Sequence, residues 1–244
     1  MRDKHEFRLL IIGDSISLGI AEIRGVEIIG QVPRCYVDIL RTEFPYIRFI
    51  VNADIHRTTA DGLELVDALL RQHQPAVVLV MLGGNDADLL WKRLVVSNGK
   101  IVQNRIVLER YASNLTRIAQ KVIATGALPI LTDMPNHSLE IRGRYLSQLS
   151  GRDVAGIIAR NGGQPASDRG LELYRQAAAN VATAMHCPFV RYGTALSHRP
   201  PELVIGPDGV HPNNYAHEII AEELKPAIQL VMDKVRTPKI GSKA

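Results

Sequence analysis

The chain has 244 residues, of which 46% are hydrophobic, 5% aromatic and 22% charged, with a formal net charge of +4 at pH 7. That length and composition are enough to bury one good core and to carry an insertion, and they exclude disordered, fibrous and collagen-like chains. Lys and Arg are scattered among acids and never form a run, so the positive balance reads as a solvated surface, with no nucleic-acid partner expected.

The N-terminus, Met1 to Arg8, is charged, and the apolar run Leu9 to Ile12 stops at Gly13-Asp14, too short for the apolar region of a signal peptide. No stretch approaches the roughly eighteen continuous apolar residues that span a bilayer. A cytoplasmic location without a membrane span is the expectation. Cys35 and Cys187 lie far apart, neither at zinc-ligand nor at redox-motif spacing, and each is expected to be a buried thiol.

Apolar runs of strand length, rich in Val and Ile, fall at Arg8 to Ile12, Arg48 to Val51, Ala76 to Leu82, Leu128 to Thr132 and Phe189 to Tyr192. Helix-like segments lie between and after them, at Pro33 to Glu43, Thr59 to Gln72, Ile106 to Thr125, Gly170 to Met185 and Asn213 to Val235. Crossovers of helical length force parallel pairing, so the alternation predicts an α/β fold: an open parallel sheet of about five strands with helices on both faces. Ligands in such sheets bind at the carboxyl ends of the strands. Ala87 to Asn104 and Pro135 to Asp168 break the rhythm at that edge. The second, rich in glycine, is expected to be a lid or substrate-shaping insertion within a single domain.

Three motifs carry chemistry. Gly13-Asp14-Ser15 ends the first strand, which puts Ser15 on a turn where its hydroxyl is available as a nucleophile and backbone N–H groups face a developing oxyanion. A serine there also suits a helix cap. Gly83-Gly84-Asn85-Asp86 ends the third strand and offers the Asn85 amide as an oxyanion donor, or simply makes a turn. Asp208-Gly209-Val210-His211-Pro212-Asn213 precedes the last helix; Asp208 can accept the Nδ1 proton of His211, leaving Nε2 to act as a base, while Pro212 and Asn213 equally suit a helix start.

These three motifs, in this order, resemble those of the SGNH hydrolases, also called the GDSL esterase and lipase family. Val51-Asn52-Ala53, and the stretch from Ala68 to Asp86, look especially like its bacterial thioesterase and lysophospholipase branch. The resemblance implies a three-layer α/β/α domain over residues 1–244 with a flavodoxin-like sheet. It implies a serine hydrolase acting on small-molecule carboxylic esters or thioesters without a cofactor or metal. By it Ser15 is the nucleophile, His211 the base and Asp208 its orienting partner, and the oxyanion hole comprises the Ser15 N–H, the Asn85 side chain and a backbone N–H of the second block. The family's glycine in that block is here Arg57, whose N–H could persist as a donor while its side chain narrows the site, recognises an anion or points to solvent.

Among the histidines, His56 and His137 could reach the same edge, whereas His73, His186, His198 and His217 are expected on the surface. Two other readings stay open. Asp14, Asn85, Asp86, Asp208 and His211 are also ligand types for a metal-dependent phosphoesterase, although no histidine accompanies Asp14 or follows Asn85. A non-catalytic binding protein on the same fold is the other.

Overall fold

Strand β1 (Phe7–Gly13) has its last five residues buried, and its neighbours explain why. It pairs in parallel with β4 (Ile47–Ala53) on one side and with β5 (Val77–Met81) on the other. The computed structural model describes residues 7–24, 28–87, 105–160 and 162–236. Beyond β5 lie β6 (Leu128–Thr132) and the two-residue β7 (Phe189–Val190), all parallel, so the sheet order is β4-β1-β5-β6-β7. This is the flavodoxin-like order, in which the chain winds outward in both directions from the first strand and leaves a crevice beside its carboxyl end.

Alternate residues of these strands enter two separate cores. Leu9, Ile11, Val77 and Leu79 pack with Tyr36 and Leu40 of α1 (Tyr36–Glu43) and with Ile220, Leu224 and Ile228 of the final helix, α9 (Asn214–Arg236). Leu10, Ile12, Val78 and Val80 pack with α2 (Thr59–His73), α3 (Arg105–Ala124) and α6 (Gly163–Ala184) through Val66, Ile118 and Ala178. Both faces are therefore covered, which is why the strands read as unbroken apolar runs. The result is the expected three-layer α/β/α arrangement.

Several boundaries differ from the sequence-based expectation. An antiparallel ribbon, β2 (Ile20–Arg24) and β3 (Ile28–Gln31), follows the Ser15 turn and was not anticipated. The fifth strand stops at Val190, and Tyr192 instead opens the short helix α7 (Tyr192–Ser197), whose first N–H groups are capped by the Asp133 carboxylate. A further single turn, α8 (Pro201–Val204), leads toward the His211 loop. The segment 135–168 is largely helical: α4 (Leu139–Ser150), α5 (Val154–Arg160) and the first turn of α6, which starts at Gly163. The interruption after β5 lies outside the described residues from 88 to 104. Among the described residues no helix is long and apolar enough to cross a membrane.

The insertion is held by polar contacts. Gln164 of α6 accepts from Leu139 N (2.8 Å) and donates to His137 O (2.8 Å), while Arg175 donates to Met134 O from Nε (3.0 Å) and Nη2 (2.8 Å). At Gly143 a Cβ would lie 3.0 Å from Ala155 Cα, so this glycine lets α4 and α5 cross closely.

Candidate active site

The turn after β1 is folded by Asp14. Its Oδ1 accepts from Ile16 N (3.0 Å) and its carbonyl from Ser17 N (3.1 Å), which leaves Ser15 at the apex, at the sheet's switch point. The Ser15 N–H has no acceptor among the described residues. Burial pushes the Asp14 carboxyl up to about 6, against the opposing pull of the Ile16 N–H and of His211.

His211 arrives from the other end of the chain. Its Nε2 lies 2.9 Å from Ser15 Oγ and its Nδ1 2.6 Å from Asp208 Oδ2. Asp208 Oδ1 also accepts from the N–H groups of Val210 (2.9 Å) and His211 (3.0 Å), a three-residue wrap made possible by Gly209 at φ +75°. Gly206 N donates to His211 O (2.7 Å), and Asn213 Oδ1 accepts from Ala216 N (3.0 Å), so the loop is tied at its base and caps α9. Burial pulls the Asp208 carboxyl upward, but the hydrogen bond and charge of His211 together with the two N–H groups hold it below the ordinary carboxylate range.

Asn85, half-buried after β5, donates one amide hydrogen to Arg57 O (3.0 Å), leaving the second available on the same nitrogen. Its neighbour Asp86 accepts from Thr59 N (2.9 Å) and Thr59 Oγ1 (2.6 Å) at the start of α2. The Arg57 side chain is half-buried and drawn to the end of β4, where its Nη1 donates to Asn52 O and Asn52 Oδ1 (both 2.7 Å). Its backbone N–H makes a long 3.4 Å turn bond to Asp54 O, and the left-handed residue in this turn is His56, at φ +66°.

Above Ser15 opens a cleft of about 270 Å³. Ser15, Asn85 and His211 line it, with His56, His137, and Arg142, Tyr145, Leu146 and Leu149 from α4. The α4 residues escaped the sequence analysis, yet their spacing of three, one and three places them on one helical face. His217, expected on the surface, is fully buried: its Nδ1 accepts from Tyr36 N (3.2 Å) and its ring stacks on that of Tyr36. The thiols of Cys35 and Cys187 are free and only partly buried, not enclosed as expected. The metal-site reading loses its donors, because Asp14, Asp86 and Asp208 bind separate partners. Among the described residues no three His, Cys, Asp or Glu side chains cluster to hold a metal ion.

The profile of the GDSL-like lipase/acylhydrolase family matches residues 11–219. The chain belongs to that family. As a GDSL-like hydrolase it is 39% identical over 79 residues to thioesterase 1/protease 1/lysophospholipase L1 of Escherichia coli K12, covering 32% of this chain and 34% of that protein. It is 31% identical over 160 residues to esterase TesA of Pseudomonas aeruginosa, covering 62% of this chain and 64% of TesA. These alignments therefore span less than two thirds of either relative. A crystal structure of the acetylxylan esterase Axe2 from Geobacillus stearothermophilus shares the fold with a TM-score of 0.63 at 19% identity, over 93% of this chain and 96% of that one.

Proposed function

We propose that this GDSL-like hydrolase cleaves carboxylic esters or thioesters of small molecules through an acyl-enzyme on Ser15. The observation that carries the reading is the unbroken contact chain from Asp208 through His211 to Ser15 Oγ. His211 Nε2 takes the hydroxyl proton as Ser15 Oγ attacks the acyl carbon, then returns it to the departing alcohol or thiol. A water, deprotonated by the same nitrogen, then attacks the acyl carbon; the bond to Ser15 Oγ breaks, the proton passes to Oγ and the acid leaves. Asp208 keeps its charge throughout and fixes the ring with Nδ1 protonated.

The carbonyl oxygen gains negative charge between three donors: the Ser15 N–H, the second amide hydrogen of Asn85 and the Arg57 N–H, which must leave its long bond to Asp54. The segment 135–168 acts within the same domain as the substrate-shaping lid, its apolar face forming the wall for the organic part of the substrate.

Active-site labelling tests the reading. The wild type should react with a fluorophosphonate at Ser15 and hydrolyse p-nitrophenyl esters in the presence of a chelator, and folded Ser15→Ala should do neither. Wild-type turnover by Ser15→Ala, or turnover abolished by the chelator, overturns it.

A further inference from the structure

The cleft holds a cation that the acyl-transfer chemistry does not use. Arg142 sits in the first turn of α4, with its N–H bonded to Ser138 O (2.9 Å). A Cβ placed on Gly209 would lie 2.4 Å from Arg142 N, so the backbone of this arginine rests directly on the loop carrying Asp208 and His211. The side chain lines the cleft beside Ser15 and is half-buried. Its guanidinium has no ion pair or hydrogen bond with any described residue.

Among the described residues, the carboxylates that line the cleft or lie at the start of α4 and α6 have partners of their own. Glu140 pairs with Arg144 (3.2 Å), Asp208 binds His211 (2.6 Å), Asp168 accepts from Gln164 Nε2 (2.7 Å), and Asp14 accepts from Ile16 N (3.0 Å) inside the protein. A partly desolvated guanidinium with no counter-ion among the described residues is favoured when an oxyanion arrives, because its planar fork matches a carboxylate or phosphate in two hydrogen bonds. On the same helical face Tyr145, Leu146 and Leu149 present an apolar strip. The structure thus pairs a cation with an adjoining apolar wall on one helix.

We infer that Arg142 is a specificity-determining residue that selects esters bearing an anionic oxygen group joined to an apolar segment. The inference rests on the ester-hydrolase reading of the same cleft. It assigns anion recognition to Arg142, which lines the cleft, rather than to Arg57, which does not and whose Nη1 is held by Asn52.

Two matched substrate pairs test it. In one, the acyl part carries the charge: the p-nitrophenyl ester of suberic half-acid against its methyl-capped isostere. In the other, the leaving group does: a hexanoyl ester of 4-hydroxybenzoate against that of its methyl ester. The wild type should prefer the anionic member of at least one pair, and the pair that responds identifies which half of the substrate lies under α4. Arg142→Gln should reduce kcat/KM for that anionic ester about tenfold to a hundredfold, chiefly through KM, with the neutral member changed less than threefold or so. Arg142→Lys should restore part of the preference. Equal effects of Arg142→Gln on both members of both pairs overturn the inference. Fluorophosphonate labelling of each variant separates this outcome from failure of the serine mechanism, which would abolish labelling and hydrolysis of every ester.

Discussion

Ser138 and Gly209 are joined by a backbone hydrogen bond of 2.8 Å, from Ser138 N to Gly209 O, that fastens the start of α4 to the loop between Asp208 and His211. The insertion and the loop that carries Asp208 and His211 therefore share a fixed seam. Gly209 can serve there because it holds φ +75° and because no side chain intrudes on Arg142.

Gly209→Ala adds a methyl group where Arg142 N would be 2.4 Å away, at a dihedral unfavourable to alanine. Strain of about 1–3 kcal/mol should lower the melting temperature, and displacement of His211 should cut kcat about a hundredfold. A thermal melt and a steady-state assay on one preparation check both. Wild-type kcat would mean that the seam does not position the base.

Asp208→Asn should fold but slow turnover by about a thousandfold to ten-thousandfold, less than His211→Ala. The carboxylate serves ring and backbone donors at once, whereas an amide has a single oxygen. If that oxygen takes the backbone N–H groups, its NH₂ faces Nδ1 and imposes the wrong tautomer. Pre-steady-state acylation rates give the order, and a milder His211→Ala would reverse the assignment.

Asn85→Ala should lower kcat by about a hundredfold to a thousandfold, the usual effect of losing one oxyanion donor. It also releases the Arg57 carbonyl. Asn85→Asp keeps the shape and removes the donor, so a near-normal rate in that variant would exclude the amide from the hole.

Acid stability should carry two opposed contributions. Burial, with the charge of His211 adding to it, pushes the His217 imidazole down to about 4, so its contribution is complete above the unfolded value near 6.5 and is lost as pH falls toward 4. Burial raises Asp14 to about 6, so folding binds its proton more tightly, and that contribution is lost as pH rises from about 4 to 6. Each is on the order of 3 kcal/mol. Melting temperatures between pH 4 and 6.5 should fall more steeply toward acid in Asp14→Asn than in the wild type, and less steeply in His217→Asn. Parallel curves for all three proteins would dismiss both contributions.

The parallel sheet was legible because each of its main strands is enclosed on both faces and so reads as a continuous apolar run, from Leu9 to Ile12 and from Val77 to Met81. Ser15, His211 and Asp208 were legible as a motif set, since a carboxylate three residues before a histidine fits one tight loop. Helix α4 was hidden by its glycines, which suggested loop; Gly143 serves close helix crossing and Gly151 a left-handed cap instead. The β2–β3 ribbon was hidden by a register break between Ile20 and Glu22 that spoils its alternation. His217 lies on the face of α9 that also carries Ile220 and Leu224, a spacing that would have placed it inside. The contact of Arg57 with Asn52 had no such signature, because side-chain direction in an irregular loop follows from its partners.

Asp86 and Asn85 reach across from the helical turn after β5 to the chain leaving β4, one to Thr59 and the other to Arg57. In the sheet those two strands flank β1, so the clasp links the chain on either side of the strand that leads to Ser15. The proposed oxyanion pocket would thus work as a gauge of strand spacing, its donors in register only while the three carboxyl ends stand side by side. Loosening of β4, an edge strand, should disarm the enzyme while most of both cores is still intact, so that inactivation on warming runs ahead of the loss of helical signal.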